Sequence, residues 1–363
     1  MTKQPKHSGA KMNKFLKLSL VLLISVLVAW SCGKSDESGD SSFTPNLNFY
    51  NWSYYIGETT IPDFESEFNV RVRYDNFSSN SEILAKFQAG AGGYDLVVPS
   101  DYMVEIMTKL DLLLPIRSEN IPNLENIDPR FRNLPFDPEN RYSIPYQWGT
   151  TGIGINTRFV KDFENSWKIL WDEQYRGRIS VLDDMRSGIV PALKLLGYSV
   201  NTTNESELEE AKQLMLQQKA LVRTYSSETY MDLLKSGDIW IAQGWSGDIF
   251  QVTKENPDVI FIIPDEGSYI WVDNLVIPKG ARNRFTAELF INYLLRPEVS
   301  SEISNYTGYS SPNRAAIPYI DPELTSDKSM YPDDQTMERL EFMTDVGDAT
   351  RIYNRVWNEI KSY

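Results

Sequence analysis

The spacing of apolar positions changes repeatedly along the first half of the chain. Residues 46–52, with Leu47, Phe49, Tyr50 and Trp52, read as a buried strand, and 56–68 place Ile61, Phe64, Glu65 and Phe68 at helical spacing. Residues 70–77 alternate as a second strand, 81–89 form a second helix and 94–99 a third apolar strand. Helix alternating with strand predicts an α/β chain built on a parallel sheet. Ligands of such sheets sit beyond the carboxyl ends of the strands. The turns there hold Asn51-Trp52-Ser53-Tyr54-Tyr55 and Val98-Pro99-Ser100-Asp101-Tyr102, so aromatic and hydroxyl groups recur at the predicted rim. Ser100 also suits the N-cap of a helix over 102–110.

Residues 113–141 are rich in Pro and Asn without a period and read as a long ordered connection. Residues 142–156 read as extended chain passing between two lobes, and Gly152-Ile153-Gly154 within them lacks the third glycine of a dinucleotide loop. A second alternating block follows, with a helix near 167–174, a strand over 178–182, helices over 186–196 and 206–218, a strand over 221–224 and a helix over 229–234. Asp183-Asp184 ends a strand at the same rim position as Trp52 and Ser100. Such a pair serves either as a metal or acid–base site or as a cap beside a solvated acid. Helices are expected over 284–295 and, at the tail, over 345–360; there is no internal repeat.

The sharpest chemistry lies between residues 239 and 278. Gly244-Trp245-Ser246-Gly247-Asp248 follows a strand end, and Tyr269-Ile270-Trp271-Val272-Asp273 lies in a β-branched and aromatic strand over 269–277. Alternation puts Tyr269, Trp271 and Asp273 on one face. A carboxylate beside an indole makes a poor core, because a buried anion needs a partner, but a good seat for an organic cation. The same residues also fit blander roles: Asp248 as a first-turn helix acid, both tryptophans as core, Asp273 in a salt bridge.

Composition narrows the choice. Residues 1–31 carry Lys3, Lys6, Lys11, Lys14 and Lys17 and no acid, followed by an apolar run over 18–28 that is short for a bilayer span and reads as a signal peptide. Ala29-Trp30-Ser31-Cys32 holds the only cysteine and resembles a bacterial lipoprotein cleavage site, with Cys32 carrying the lipid, although Trp30 departs from the usual small residue. The other reading is a free cysteine after an ordinary signal. Met12 is a second possible start. Residues 32–45, Gly-, Ser- and acid-rich, read as a flexible tether. Loss of 1–31 moves the formal charge from −14 to −19, which excludes a nucleic-acid binder. His7, the only histidine, lies in that segment, so Ser-His-Asp, Cys-His and His-ligated metal chemistry are excluded from the mature chain, and neither a metal nor a cofactor is expected.

Several short stretches occur in one order: Phe49-Tyr50-Asn51-Trp52-Ser53, Tyr94-Asp95-Leu96-Val97-Val98-Pro99-Ser100, Pro135-Phe136-Asp137-Pro138, residues 142–149, Ile270-Trp271-Val272-Asp273, residues 294–299 and Gly308-Tyr309. Together they resemble the spermidine/putrescine-binding proteins of bacterial polyamine ABC importers, over nearly all of the chain after the tether. The resemblance implies a two-lobed α/β periplasmic-binding-protein-like fold of type II, with lobe 1 formed by 46–150 and 272–317 and lobe 2 by 151–271 and 318–363. It implies a lipid-anchored protein on the periplasmic or cell-surface side of a bacterial membrane, no catalysis, and ABC permease subunits of the inner membrane as partners. Ligand contacts carry over to Trp52, Ser53, Tyr55, Ser100, Tyr102, Asp184, Ser227, Trp245, Asp248, Trp271, Asp273 and Tyr309. Asp248 matches the putrescine-type members. Three residues after Asp184, where the relatives carry a glutamate, stands Ser187; Met343 and Tyr54 are further departures. Two other functions remain open on residue types alone: a carbohydrate-binding protein, and a secreted glycoside hydrolase using Asp183, Asp184, Asp248 or Asp273 as its carboxylate pair.

Overall fold

Eleven strands occur among the described residues. In chain order they are β1 (Asn46–Trp52), β2 (Arg71–Phe77), β3 (Leu96–Val97), β4 (Leu113–Leu114), β5 (Ser143–Asn156), β6 (Ile179–Val181), β7 (Val222–Tyr225), β8 (Ile241–Trp245), β9 (Val259–Ile262), β10 (Ser268–Pro278) and β11 (Leu340–Phe342). The computed structural model describes residue 1, residues 43–90 and residues 92–362. The expected signal peptide, Cys32 and the tether as far as residue 42 lie outside the described residues, and the chain from 43 onward is one compact unit.

The main path of the sheet runs β2-β1-β3-β10-β5-β8-β6-β7. The expectation of a parallel sheet holds at both ends, where β1 pairs in parallel with β2 and β3, and β6 with β7 and β8. It fails in the middle, where β10 runs antiparallel to β3 and β5, and β5 antiparallel to β8 and β9. The cause is β5, a fourteen-residue strand buried along its whole length. Its first part pairs with β10 as far as Thr150↔Ile270, and its second with β8 from Thr151↔Trp245 onward. One strand thus hands over from one half of the sheet to the other between Thr150 and Thr151.

Helix boundaries shift for local reasons. The first helix spans Thr60–Phe68, later than expected, and its Phe64 packs edge-on against Phe290 at 4.6 Å. Full burial of such a ring stabilises by about 2–3 kcal/mol. In place of a helix over 167–174 there are two 3-10 turns, Trp167–Trp171 and Glu173–Tyr175. Ser166 and Asp172 accept the N–H groups of Lys168 and Gln174, and each side chain starts its own short turn. The helix expected from 186 begins only at Val190, because Asp184 holds residues 186–188 in a turn. At the tail a 3-10 turn, Gly347–Ala349, precedes the helix Thr350–Ser362. No helix among the described residues is long and apolar enough to cross a membrane.

Candidate ligand-binding site

The helix Asp101–Lys109 meets β10 at a register irregularity between Asp273 and Asn274. Ser100 stands where an N-cap would, yet its hydroxyl makes no cap; it donates to Asp273 Oδ1 at 2.6 Å. Asn80 fixes Ser100 from behind, donating to its Oγ at 3.1 Å and accepting its N–H at 3.1 Å. Asp273 is only 5 % exposed. Burial pushes its carboxyl up to about 7, against the opposing pull of Ser100 and Tyr55. The buried Tyr55 hydroxyl faces this carboxylate.

A second carboxylate stands on the helix Ser246–Glu255. Asp248 Oδ1 accepts from the Tyr309 hydroxyl at 2.5 Å and Oδ2 from the Tyr230 hydroxyl at 2.7 Å. Burial raises its carboxyl, and the two tyrosines offset part of the rise. Glycines permit this geometry. A Cβ on Gly247 would stand 2.5 Å from the Tyr309 ring, and one on Gly149 would stand 2.7 Å from Trp271 Cζ2. Tyr309 packs edge-on against Tyr55 at 5.1 Å and Trp271 at 5.3 Å, so an aromatic cluster links the surroundings of Asp248 and Asp273. The Trp271 Nε1–H is buried without a hydrogen-bond partner.

A third region carries no carboxylate of its own. The Tyr269 hydroxyl accepts from Trp245 Nε1 at 3.2 Å and shares a 2.7 Å hydrogen bond with Ser187 Oγ. Asp184 borders it, but its Oδ1 accepts the N–H groups of Arg186 and Ser187 at 3.0 and 2.7 Å. Arg186, itself buried, donates to the carbonyls of Thr344 and Val200 and to Asn201, and lies over the rings of Tyr353 and Tyr102.

The Trp245 N–H donates to the Tyr230 hydroxyl at 3.3 Å, so Tyr55, Ser100, Trp245, Asp248, Trp271, Asp273 and Tyr309 are joined by direct contacts or through a single tyrosine. Tyr102 joins through Arg186, and Asp184 through Ser187. Trp52 is half-buried, donates Nε1 to Val98 O at 2.9 Å and packs on Phe77. Ser227 accepts the N–H of Asp183 at 3.1 Å, and Asp183 is an exposed partner of Lys361 at 2.6 Å, the solvated acid of its pair. Ser53 is exposed and lines a surface hollow with Tyr54 and Tyr306, apart from this cluster.

Sequence reasoning missed Asp101, Tyr230 and Arg186. Asp101 is completely buried, accepting from the N–H groups of Tyr102 at 2.8 Å and Val272 at 3.4 Å. Its carboxyl is pushed well above the ordinary range by burial and by Asp273. The one signal available was its position, directly after Ser100 at a strand end. No group of His, Cys, Asp and Glu among the described residues could hold a metal.

The family described as bacterial extracellular solute-binding protein matches residues 59–332. The spermidine/putrescine-binding periplasmic protein of Escherichia coli is 36 % identical over 336 residues, 92 % of this chain and 96 % of that protein. Among solved structures, the TpPotD lipoprotein of Treponema pallidum superposes with a TM-score of 0.79 at 37 % identity, over 87 % of this chain and 99 % of that one. The spermidine/putrescine ABC transporter substrate-binding protein PotD of Streptococcus pneumoniae gives 0.77 at 34 % identity, over 88 % and 99 %.

Proposed function

Because the chain belongs to the bacterial extracellular solute-binding protein family and has the type II two-lobed fold of its structural relatives, we propose that it captures a polyamine between its lobes for an ABC importer. The observation that carries this reading is that Asp273, Asp248 and Asp101 gather around tyrosine and tryptophan rings with only neutral hydrogen-bond donors on their carboxylates. A buried anion held by neutral donors is costly until a cation arrives, so binding of an ammonium is favoured by the charge it neutralises. One ammonium sits at Asp273 with Ser100 and Tyr55, another at Asp248. Trp52, Trp245, Trp271 and Tyr309 line the methylene chain and add cation–π attraction. Asp184, Tyr102 and Ser227 border the far end, where Tyr269 and Ser187 supply hydroxyls and no charge, and Ser53 stays outside at the rim.

We assign residues 46–150 with 272–317 to one lobe and 151–271 with 318–363 to the other, with β5 and β10 as the crossings. Closure is linked to occupancy, because the ligand supplies the charge that lets the carboxylates be buried. No reaction is involved; a separate permease and ATPase carry out transport. The signal peptide directs export, and after its removal a lipid on Cys32 anchors the domain on the periplasmic or cell-surface side of a bacterial membrane. The relatives named spermidine/putrescine-binding periplasmic proteins support the binding role and the location, and the Treponema pallidum lipoprotein supports the anchor.

Calorimetric titration with putrescine, cadaverine, spermidine and spermine tests the reading, with a neutral sugar as control. Saturable binding of at least one polyamine and none of the sugar is expected. Sugar binding without polyamine binding overturns it.

A further inference from the structure

Ser100 and Asp101, at the start of the helix Asp101–Lys109, lie across from Val272 and Asp273 on β10. Ser100 Oγ donates to Asp273, and the Val272 N–H donates to Asp101. Two carboxylates therefore flank one short stretch of strand, Asp101 with no exposed surface and Asp273 with 5 %. Their hydrogen-bond donors are the Ser100 hydroxyl and two backbone N–H groups, all neutral. Arg186 attracts Asp101 from a distance; its guanidinium bonds only the neutral oxygens of Thr344, Val200 and Asn201, lies over two tyrosine rings and leaves Nε without a hydrogen bond. One guanidinium that bonds neither carboxylate does not offset two buried anions, so both do not ionise at once in the empty site.

We propose that Asp101 and Asp273 work as one acid pair, which holds a proton while the cleft is empty and releases it to water when a ligand ammonium enters. The inference rests on the polyamine reading. It adds Asp101 as a positioning residue that acts on the ammonium through Asp273. The step balances: a carboxyl O–H bond breaks, the proton passes to solvent, and the ammonium keeps its own protons. An alkylammonium titrates near 10 and so supplies none of the released proton. The titratable and charged groups facing the pair are Arg186 and Tyr102 beside Asp101, and Tyr55 and Tyr146 beside Asp273, with Asp184 beyond Tyr102 and Asp248 beyond Tyr55. Burial holds all three phenols up, so they stay neutral at the pH of interest. Burial raises both acids of the pair, in the direction the proton requires.

The test is titration of putrescine into the full chain at pH 7 in phosphate and in Tris, whose different ionisation enthalpies count the protons released. Release of between about a half and one proton is expected, and affinity falling by up to about tenfold per unit as the pH drops below 7. Asp101→Asn should weaken binding by roughly three- to thirtyfold, release fewer protons and lose affinity only at lower pH. Putrescine binding with no proton released between pH 5 and 8 overturns the pair while leaving the polyamine reading intact; absence of polyamine binding overturns that reading first. An Asp101→Asn chain that melts earlier but releases the same proton confines Asp101 to stabilising the helix start, and overturns its part. If that variant does not fold, Asp101→Ser, which keeps an acceptor near the Tyr102 N–H, replaces it in the same measurement.

Discussion

Replacing Asp273 by asparagine separates two effects of its carboxylate, because the substitution keeps the shape and removes the charge. In the empty fold the carboxyl is held at about 7 instead of 3.8, so its ionised form is disfavoured by about 4 kcal/mol. Desolvation is the main cause and the Ser100 hydrogen bond opposes it. For an acid whose folded value is raised, the stability contribution is full below the unfolded value and is lost as the pH rises through the folded one. The empty wild type should therefore lose stability between pH 4 and 8, and Asp273→Asn should be spared that loss. At pH 4 the variant should be the less stable by about 1 kcal/mol, through a weaker bond to Ser100. At pH 8 it should be the more stable by up to about 3 kcal/mol, the net of these two terms. Polyamine binding moves the other way, because an ammonium that faced a desolvated carboxylate now faces an amide; a loss of about 2 to 5 kcal/mol is expected. Urea unfolding of the empty proteins at the two pH values and calorimetry with putrescine read both effects. A stability difference that does not depend on pH would refute the claim that Asp273 is held partly neutral. Unchanged affinity would remove the residue from the site.

Gly247→Ala forces a methyl against the Tyr309 ring and should cost about 1 to 3 kcal/mol of stability along with part of the putrescine affinity; a thermal melt and a titration check it, and a silent substitution would mean that Tyr309 is free to move. Tyr269→Phe leaves Trp245 Nε1 and Ser187 without their shared partner and should lower stability by about 1 to 3 kcal/mol, while putrescine affinity changes little; weakening beyond tenfold would place an ammonium at that end. Cys32→Ser should move the protein from the membrane fraction to the soluble one with ligand binding retained, and retention after a carbonate wash would exclude the lipid.

Much of the fold could be read from local pattern. The strands β1, β6, β8 and β10 carry the large apolar and aromatic side chains that the buried strands need, and the extended reading of 142–156 matches β5 closely. Strand direction was not readable, since apolar periodicity is the same for parallel and antiparallel neighbours; this is why the middle of the sheet differed. The strand β9 was missed because Ile260 is exposed and the run is only four residues long. In the candidate site, Trp271 with Asp273 and Trp245 with Asp248 were legible as chemical anomalies, a carboxylate where a core should be.

The partners of those residues were less legible, because each side chain in the site gives up a local role for a distant one. Ser100 has the type and place of a helix cap, and a hydroxyl there normally accepts an N–H two or three residues on. It bonds instead to Asp273, 173 positions away, since a buried carboxylate without a charged partner gains strongly from a donor. Tyr309 reaches Asp248 across 61 positions, and only because Gly247 has no side chain in the way. With Ser100 committed to β10, the N–H of Tyr102 turns to the carboxylate of Asp101. That bond draws Asp101 inward, and the same carboxylate then meets the N–H of Val272 on β10. An acid that reads locally as an ordinary first-turn residue is thus carried inward against β10, beside Asp273, by the cap its neighbour gave up.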